Sequence, residues 1–351
     1  MTAVVLENIL EKARLWRQEN KPFVLYAKPI GTGLTAMFQL DAELHRADDF
    51  SESGFVFASF DGEKRWLIPD GKAEIFSASA PGDGHSSREI AVTPRDEKAK
   101  SDFEELVAKG IKAIESGKFG KVVLSRKESV AISPDFTEIY TRLLAAYPSA
   151  FRYCWFHPET GIWMGATPER LLKSKNNEFQ TVALAGTQPF VDTEHVIWQE
   201  KEKAEQQFVT DFIAQGLKKL TSKLIQSGPY TARAGNLLHI KTDISGDFAS
   251  GPAIQDAVEM LHPTPAVCGY PKAAAKEFIL KSEGYDREFY SGFLGEIGPE
   301  ECDLYVNLRC MKVGEKSANL YVGCGITKDS DPEKEFIETA NKALTMKKIL
   351  I

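Results

Sequence analysis

The sequence predicts an α+β protein built on antiparallel sheet, and three observations carry that expectation. Many short runs of β-branched and aromatic residues are interspersed with several long helical stretches. They follow one another in no regular strand–helix–strand order, which argues against a parallel, doubly wound sheet. No internal repeat, heptad run or low-complexity segment divides the chain, so residues 1–351 are read as a single large domain.

The elements follow in order. Val5, Leu6, Ile9, Leu10, Ala13 and Trp16 recur at helical spacing and predict an amphipathic opening helix. Residues 55–60 and 64–68, joined by Asp61 and Gly62, predict a β-hairpin. Pro81, Gly82, Gly84, Ser86 and Ser87 mark a loop or linker. A charged helix is expected over 101–116, with Ser101 as its cap and Glu104 three residues on. Beyond it, strand signals fall at 121–126, 151–156, 181–185, 237–241, 304–309 and 320–323. Helices are predicted over 192–226, 253–261, 272–281 and 332–350.

A composition 43% hydrophobic and 26% charged supplies a sizeable core. The formal charge of −7 argues against sequence-independent binding to nucleic acid or to an anionic membrane. It leaves room for a pocket of local cations around a small anion. No run has the length of a transmembrane helix, and Glu7, Glu11 and Lys12 are unlike a signal peptide. Cys154, Cys268, Cys302, Cys310 and Cys324 are odd in number and form no CxxC pair. Neither a disulfide framework nor a zinc site is suggested, and a reduced, cytoplasmic setting is the expectation.

Four segments stand out: "KVVLSR" (121–126), "GATPERLL" (165–172), "KEKAEQQFVTDF" (201–212) and "VGCGITKDSDPEKEFIETANKA" (322–343). Taken alone, each has an ordinary structural reading. Lys121 resembles an edge-strand lysine that discourages aggregation. Thr167 and Pro168 read as the cap and first position of a helix, with Glu169 in its first turn. Glu205 sits among Lys201, Glu202 and Lys203 as on a solvated helix face. Glu338 and Lys342 are spaced for an i,i+4 ion pair. Gly323 and Gly325 make only a GxG turn, with neither a third glycine nor a P-loop lysine-serine pair, so no nucleotide motif is completed.

Their joint order carries more. Together with "ALAGTQ" (183–188), "LLHIKTDISG" (237–246), "LHPTPAVCGYPK" (261–272) and "LYVNLRC" (304–310), they make the sequence resemble the chorismate-utilising enzymes. Within that family it is similar to the branch that forms isochorismate. The resemblance is strong over about 100–351 and looser over 1–99. It implies two large antiparallel sheets packed together, with helices outside and the site in a cleft at one end. It also implies magnesium (Mg2+) held by Glu205 and Glu338, with Glu335 a direct or water-bridged partner. Magnesium keeps several waters and takes few carboxylates, completing its shell with substrate oxygens, here those of the ring carboxylate of chorismate. For the substrate's second carboxylate the resemblance implies the fork of Arg309 and the ammonium of Lys342, aided by backbone around Gly186 and Gly323. Thr187, His239 and Ala266 match further pocket positions.

By the same resemblance, Lys121 is the base that takes a proton from water attacking C2 of chorismate. Glu169 is the acid that protonates the departing C4 hydroxyl. These roles need opposite tuning. The amine must shed its proton near neutrality, roughly three units below the free value near 10.4. The carboxyl must keep its proton, as an apolar or anion-rich pocket would ensure. Relatives that add ammonia, making anthranilate or aminodeoxychorismate, usually carry glutamine at the base position, so Lys121 points to water. Salicylate-forming relatives tend to place threonine where Ala266 stands. Those two kinds of relative are the alternatives within enzymes. A non-catalytic chorismate-binding protein is the alternative from another class, and its hallmark would be loss of the base, acid or metal carboxylates. Two positions depart from the family pattern: Gln206 where histidine often follows the helical metal glutamate, and Gln188 where arginine or another residue is frequent. The expected product serves menaquinone or siderophore biosynthesis.

Overall fold

The computed structural model describes residues 1–81, 96–190, 193, 195–234, 237–251 and 253–350. Apart from Pro81, the linker expected at 81–87 lies outside them. Two ten-stranded sheets carry helices at their periphery. The first runs in space Thr2–Ala3, Ala73–Ser79, Gly33–Gln39, Phe23–Ala27, Phe151–His157, Gly161–Thr167, Cys310–Val313, Ser317–Ile326, Lys121–Ala131, Gly269–Tyr270. The second runs Thr221–Gln226, Leu237–Phe248, Glu178–Pro189, Arg170–Lys175, Glu301–Val306, Phe293–Gly298, Gly54–Ala58, Arg65–Pro69, His45–Arg46, with Tyr230–Ala234 also paired to Leu237–Phe248. Pairing is antiparallel except where Thr2–Ala3 meets Ala73–Ser79 in parallel, so the first sheet is mixed.

Side-chain alternation decides what each face of a strand does. Along the start of the Lys121–Ala131 strand, Val122 and Leu124 point into an apolar cluster with Phe103, Val107, Ile279, Cys324 and Ile326. That cluster seats the helices Glu97–Glu115, Lys272–Ser282 and Pro332–Leu350 against the first sheet. Lys121 and Val123, on the other face, line a cavity. Another, aromatic-rich cluster draws Tyr26, Trp155 and Trp163 from the first sheet and Phe55, Phe57 and Tyr305 from the second. Its rings stack closely, with Phe57 on Phe289 and Phe151 on Tyr305 both at 4.3 Å between centroids.

Several elements differ from the sequence reading. The helix expected over 101–116 spans Glu97–Glu115, and its cap is Asp96, whose carboxylate accepts from the Ala99 amide, rather than Ser101. Residues 97–100 (Glu-Lys-Ala-Lys) are all good helix formers, so the helix begins earlier. The helix expected over 192–226 spans Glu200–Leu217, with residues 192 and 194 outside the description. Residues 221–226 leave it to pair with the end of the Leu237–Phe248 strand, where Thr221 and Ile225 suit sheet better than helix. The strand expected at 304–309 ends at Val306, and Arg309 takes φ +47° in a turn before Cys310–Val313. Thr167, Pro168 and Glu169 cap no helix; they join the strands Gly161–Thr167 and Arg170–Lys175. All five cysteines are buried and free.

The aromatic cluster predicts a stability outcome. Phe57→Ala removes a fully buried ring and is expected to cost about 3–5 kcal/mol in urea unfolding. A loss under about 1 kcal/mol would mean that this cluster does not tie the core together.

Candidate active site

Among the segments that pass between the sheets, two are hydrogen-bonded to each other, and the site is built beside them. Residues 167–170 pass from the first sheet to the second, and residues 306–310 pass back. The crossings are laced together: Thr167 Oγ1 donates to the Val306 carbonyl at 2.6 Å, the Val306 amide to the Glu169 carbonyl at 2.9 Å, and the Ala166 amide to the Arg309 carbonyl at 3.1 Å. Gly165 makes this approach feasible, since a Cβ there would stand 2.7 Å from Tyr153 and 3.1 Å from the Arg309 carbonyl oxygen. Glu169 and Arg309 are thereby fixed on adjacent crossings. An arginine at positive φ is uncommon, and such backbones concentrate at functional sites.

Beside the crossings lies a cavity of about 690 Å³. Lys121, Glu169, Gly186, Glu205, His239, Ala266, Arg309, Gly323, Glu335, Glu338 and Lys342 all line it. Of the residues singled out from sequence, this leaves Thr187, whose side chain is outside the description. The remaining departures have distinct settings. Gln188 lines the cavity and donates to Glu202 at 3.0 and 3.1 Å. Gln206 turns the other way, bonding Thr210 and Thr242 to seat its helix on the Leu237–Phe248 strand.

Charge in this cavity is dense and paired. Lys121 donates to Glu205 Oε1 at 2.5 Å, and Lys342 to Glu338 Oε1 at 2.8 Å and to the Gly323 carbonyl at 3.0 Å. Burial lowers the pKa of Lys342, but Glu338 and other neighbours more than offset this, so it ends raised. Burial lowers the pKa of Arg309, against the opposite pull of Tyr147 and Glu169. Glu169 is the buried carboxyl of the set. Burial pushes its carboxyl up to about 7, although Arg309, Lys121 and Lys342 pull the other way. Burial likewise brings His239 down to about 4, so its ring is neutral at pH 7. Its Nδ1 lies 2.9 Å from the Gly186 carbonyl, which can only accept; the proton therefore sits on Nδ1, and Nε2 is an acceptor.

Among the lining residues not singled out from sequence is Tyr290. It is buried, and its hydroxyl lies 2.9 Å from where a Cβ on Gly323 would stand. Burial raises its pKa to about 12 against the pull of Arg287 and Lys342. A tyrosine in an irregular segment carries no spacing signal, so only the fold reveals its place.

The carboxylates suit a hard dication. Glu335 and Glu338 stand one turn apart on the Pro332–Leu350 helix, and both raise the pKa of the Cys324 thiol beyond the effect of burial. Glu205 approaches from another helix, with Oε1 3.6 Å from where a Cβ on Gly325 would stand. Oxygen donors thus reach the 324–325 backbone from two helices, an all-carboxylate set of the kind that magnesium takes. Among the described residues, the group whose ligating atoms all lie within 4.8 Å of one another is a different one, Asp41, Glu43 and His45. It is not part of the cavity lining, and Lys72 pairs with both of its carboxylates.

The family model described as chorismate binding enzyme matches residues 68–351. The chain belongs to that family. Isochorismate synthase EntC of Escherichia coli (strain K12) is 31% identical over 259 residues, 70% of this chain and 66% of that one. The salicylate biosynthesis isochorismate synthase of Pseudomonas aeruginosa is 32% identical over 270 residues, 72% of this chain and 55% of that one. The matched part therefore spans about two thirds or less of these curated relatives. The solved structure of DhbC from Bacillus anthracis superposes with a TM-score of 0.79 at 25% identity, covering 98% of this chain and 99% of that one. Among the described residues no helix is long and apolar enough to cross a membrane.

Glu169 predicts a pH-dependent stability effect in this member of the family. Between about pH 4.5 and 7 the unfolded chain gives up a proton that the folded one keeps, so stability falls as pH rises through that window. The loss is on the order of 3 kcal/mol and persists above pH 7. Glu169→Gln cannot titrate. It is expected to be more stable than wild type in urea unfolding near pH 8, with the gain vanishing near pH 4.5. An equal effect at both pH values would show that the carboxyl is not held protonated by burial.

Proposed function

We propose that the protein is an isochorismate synthase, a magnesium-dependent isomerase acting through one domain that comprises the whole chain, its two sheets packed face to face. The observation that carries the proposal is Glu169: a buried carboxyl poised near neutrality in the same cavity as Arg309, Lys121 and Lys342. Three cations gathered at one cavity, beside carboxylates suited to a dication, fit a small dianion better than a neutral ligand.

In this reading Arg309 and Lys342 hold the carboxylate of the enolpyruvyl arm, with the Gly186 and Gly323 backbone beside it. The Tyr290 hydroxyl adds a donor at the same end. Glu205, Glu335 and Glu338 hold magnesium, which when bound withdraws charge from the ring carboxylate and helps to orient the ring. Lys121 removes a proton from the water that adds at C2. Glu169 gives its proton to the C4 oxygen as that bond breaks, so one hydroxyl is gained and one lost. The neutral His239 offers an acceptor for a substrate hydroxyl.

Freeing the Lys121 amine of its proton calls for burial and neighbouring cations. The structure puts a carboxylate on it instead. The base role therefore requires Glu205 to turn away from the amine. Because Glu205 is also a proposed metal ligand, one carboxylate controls both groups. Ala266 leaves little bulk beside the ring, in keeping with isomerisation rather than elimination to salicylate.

Incubation with chorismate and magnesium, with and without ammonium, should yield isochorismate alone, and excess chelator should stop it. Salicylate or an aminated product would replace this reading, and no turnover of chorismate at all would favour a binding protein. Lys121→Gln should abolish isochorismate formation while chorismate still binds in calorimetry; near wild-type turnover would remove the amine from the mechanism.

The wild-type rate should also fall as pH rises through about 7, because an acid must arrive protonated. A profile with no alkaline limb between about pH 6 and 8 would assign proton donation to another group.

A further inference from the structure

Behind the cavity wall lies an ion pair that the proposed mechanism does not use. Arg287 and Glu283 are 2% and 1% exposed in their side chains, and they meet through Nη2 to Oε1 at 2.5 Å and Nε to Oε2 at 2.7 Å. Burying two charges costs desolvation free energy, and a buried pair is often no more stabilising than apolar side chains of the same size. Its bonds to its surroundings are more telling. Arg287 Nη2 donates to the Val123 carbonyl at 2.7 Å, and Nη1 to the Val267 carbonyl at 3.1 Å. Glu283 Oε1 accepts from the Ser125 amide at 2.7 Å and the Ser125 hydroxyl at 2.9 Å. The guanidinium also packs over Phe60, with Cζ 4.4 Å from the ring centroid.

These contacts fall where the sheet stops. Gly269 and Tyr270 pair with Val122 and Lys121, and the Val123 amide bonds the Cys268 carbonyl. Beyond that point residues 266–267 leave the ladder and enter the cavity wall. There the carbonyls of Val123 and Val267 have no strand partner in each other, and one planar group bridges both.

We infer that Arg287, oriented by Glu283, is a positioning residue: it holds the Lys121 strand and the 266–267 wall at a fixed separation across the cavity. The inference rests on the proposed role of Lys121. Lysine cannot replace the guanidinium here, because a single ammonium has no fork with which to reach two carbonyls and both carboxylate oxygens.

The test compares wild type with Arg287→Lys and the milder Ser125→Ala, using melting temperature, calorimetric chorismate binding, kcat and KM. Arg287→Lys should lose roughly thirtyfold or more in kcat with KM and chorismate affinity within about threefold, because a small misplacement of a reacting group slows chemistry more than binding. A folded Arg287→Lys protein with wild-type kcat overturns the inference, as does a loss that tracks only the fraction of folded protein. Should Arg287→Lys not fold, Ser125→Ala gives the reading: a fall in kcat of roughly threefold or more at unchanged KM supports it, and unchanged kcat overturns it. If wild type forms no isochorismate, the functional proposal fails separately. Positioning is then read from amide exchange of residues 121–126 and 265–269. Exchange at least tenfold faster in Ser125→Ala or Arg287→Lys, beyond any global stability change, supports the inference; unchanged exchange overturns it.

Discussion

The lacing of the two crossings governs the rest of the site. A chain that passes between sheets leaves its ladder, and its amides and carbonyls must find other partners or pay a desolvation penalty. Here each crossing supplies the other's partners, through Thr167, Glu169 and Ala166 on one side and Val306 and Arg309 on the other. The arrangement fixes a carboxyl and a guanidinium beside one cavity. Burial therefore raises the Glu169 carboxyl to about 7 even though the Arg309 guanidinium pulls it down. Had the two been exposed, solvent would have relaxed both toward their ordinary values.

Elsewhere in the cavity, charge is balanced by direct contact. Lys121 rests on Glu205 and Lys342 on Glu338. These pairs are in tension with the roles proposed for their members, since each carboxylate is also suited to a metal and each amine to a substrate or proton. Such frustration is common where binding must rearrange a site. It makes the two helices that carry Glu205, Glu335 and Glu338 as important to the chemistry as the sheets. Their seating is determined by unremarkable packing: Gln206 against Thr242, and Phe336 against Phe103.

Much of the site was legible in the chain because recognition rested on several segments in a fixed order. Lys121, Glu169, Arg309 and Lys342 could be named one by one, and the fold gathers them around one cavity. Helices with strong periodicity, such as Pro332–Leu350, were also readable to their ends. What escaped was decided by tertiary pairing. The 221–226 segment looks helical by continuity and becomes strand because the end of Leu237–Phe248 offers it an edge. The backbone of Arg309 resembles strand by composition and is turned by the crossing it occupies. The Lys121–Glu205 contact could not be foreseen, since nothing in local sequence tells a lysine which of several carboxylates it will meet. Tyr290 was missed for the same reason.

One feature of the first sheet bears on how such a protein can change over generations. Residues 122–131 pair with 317–326 in an unbroken antiparallel ladder, Val122 opposite Ile326 and Ala131 opposite Ser317. Lys121 and Val123 face the cavity only because the neighbouring positions, Val122 and Leu124, face the helices. Individual letters in this ladder can drift wherever size and polarity are kept. A one-residue insertion or deletion cannot be absorbed in the same way, because it would exchange the two faces and bury the amine among the helices. Length variation among descendants of this gene should therefore collect in the connections, and this strand should keep its count.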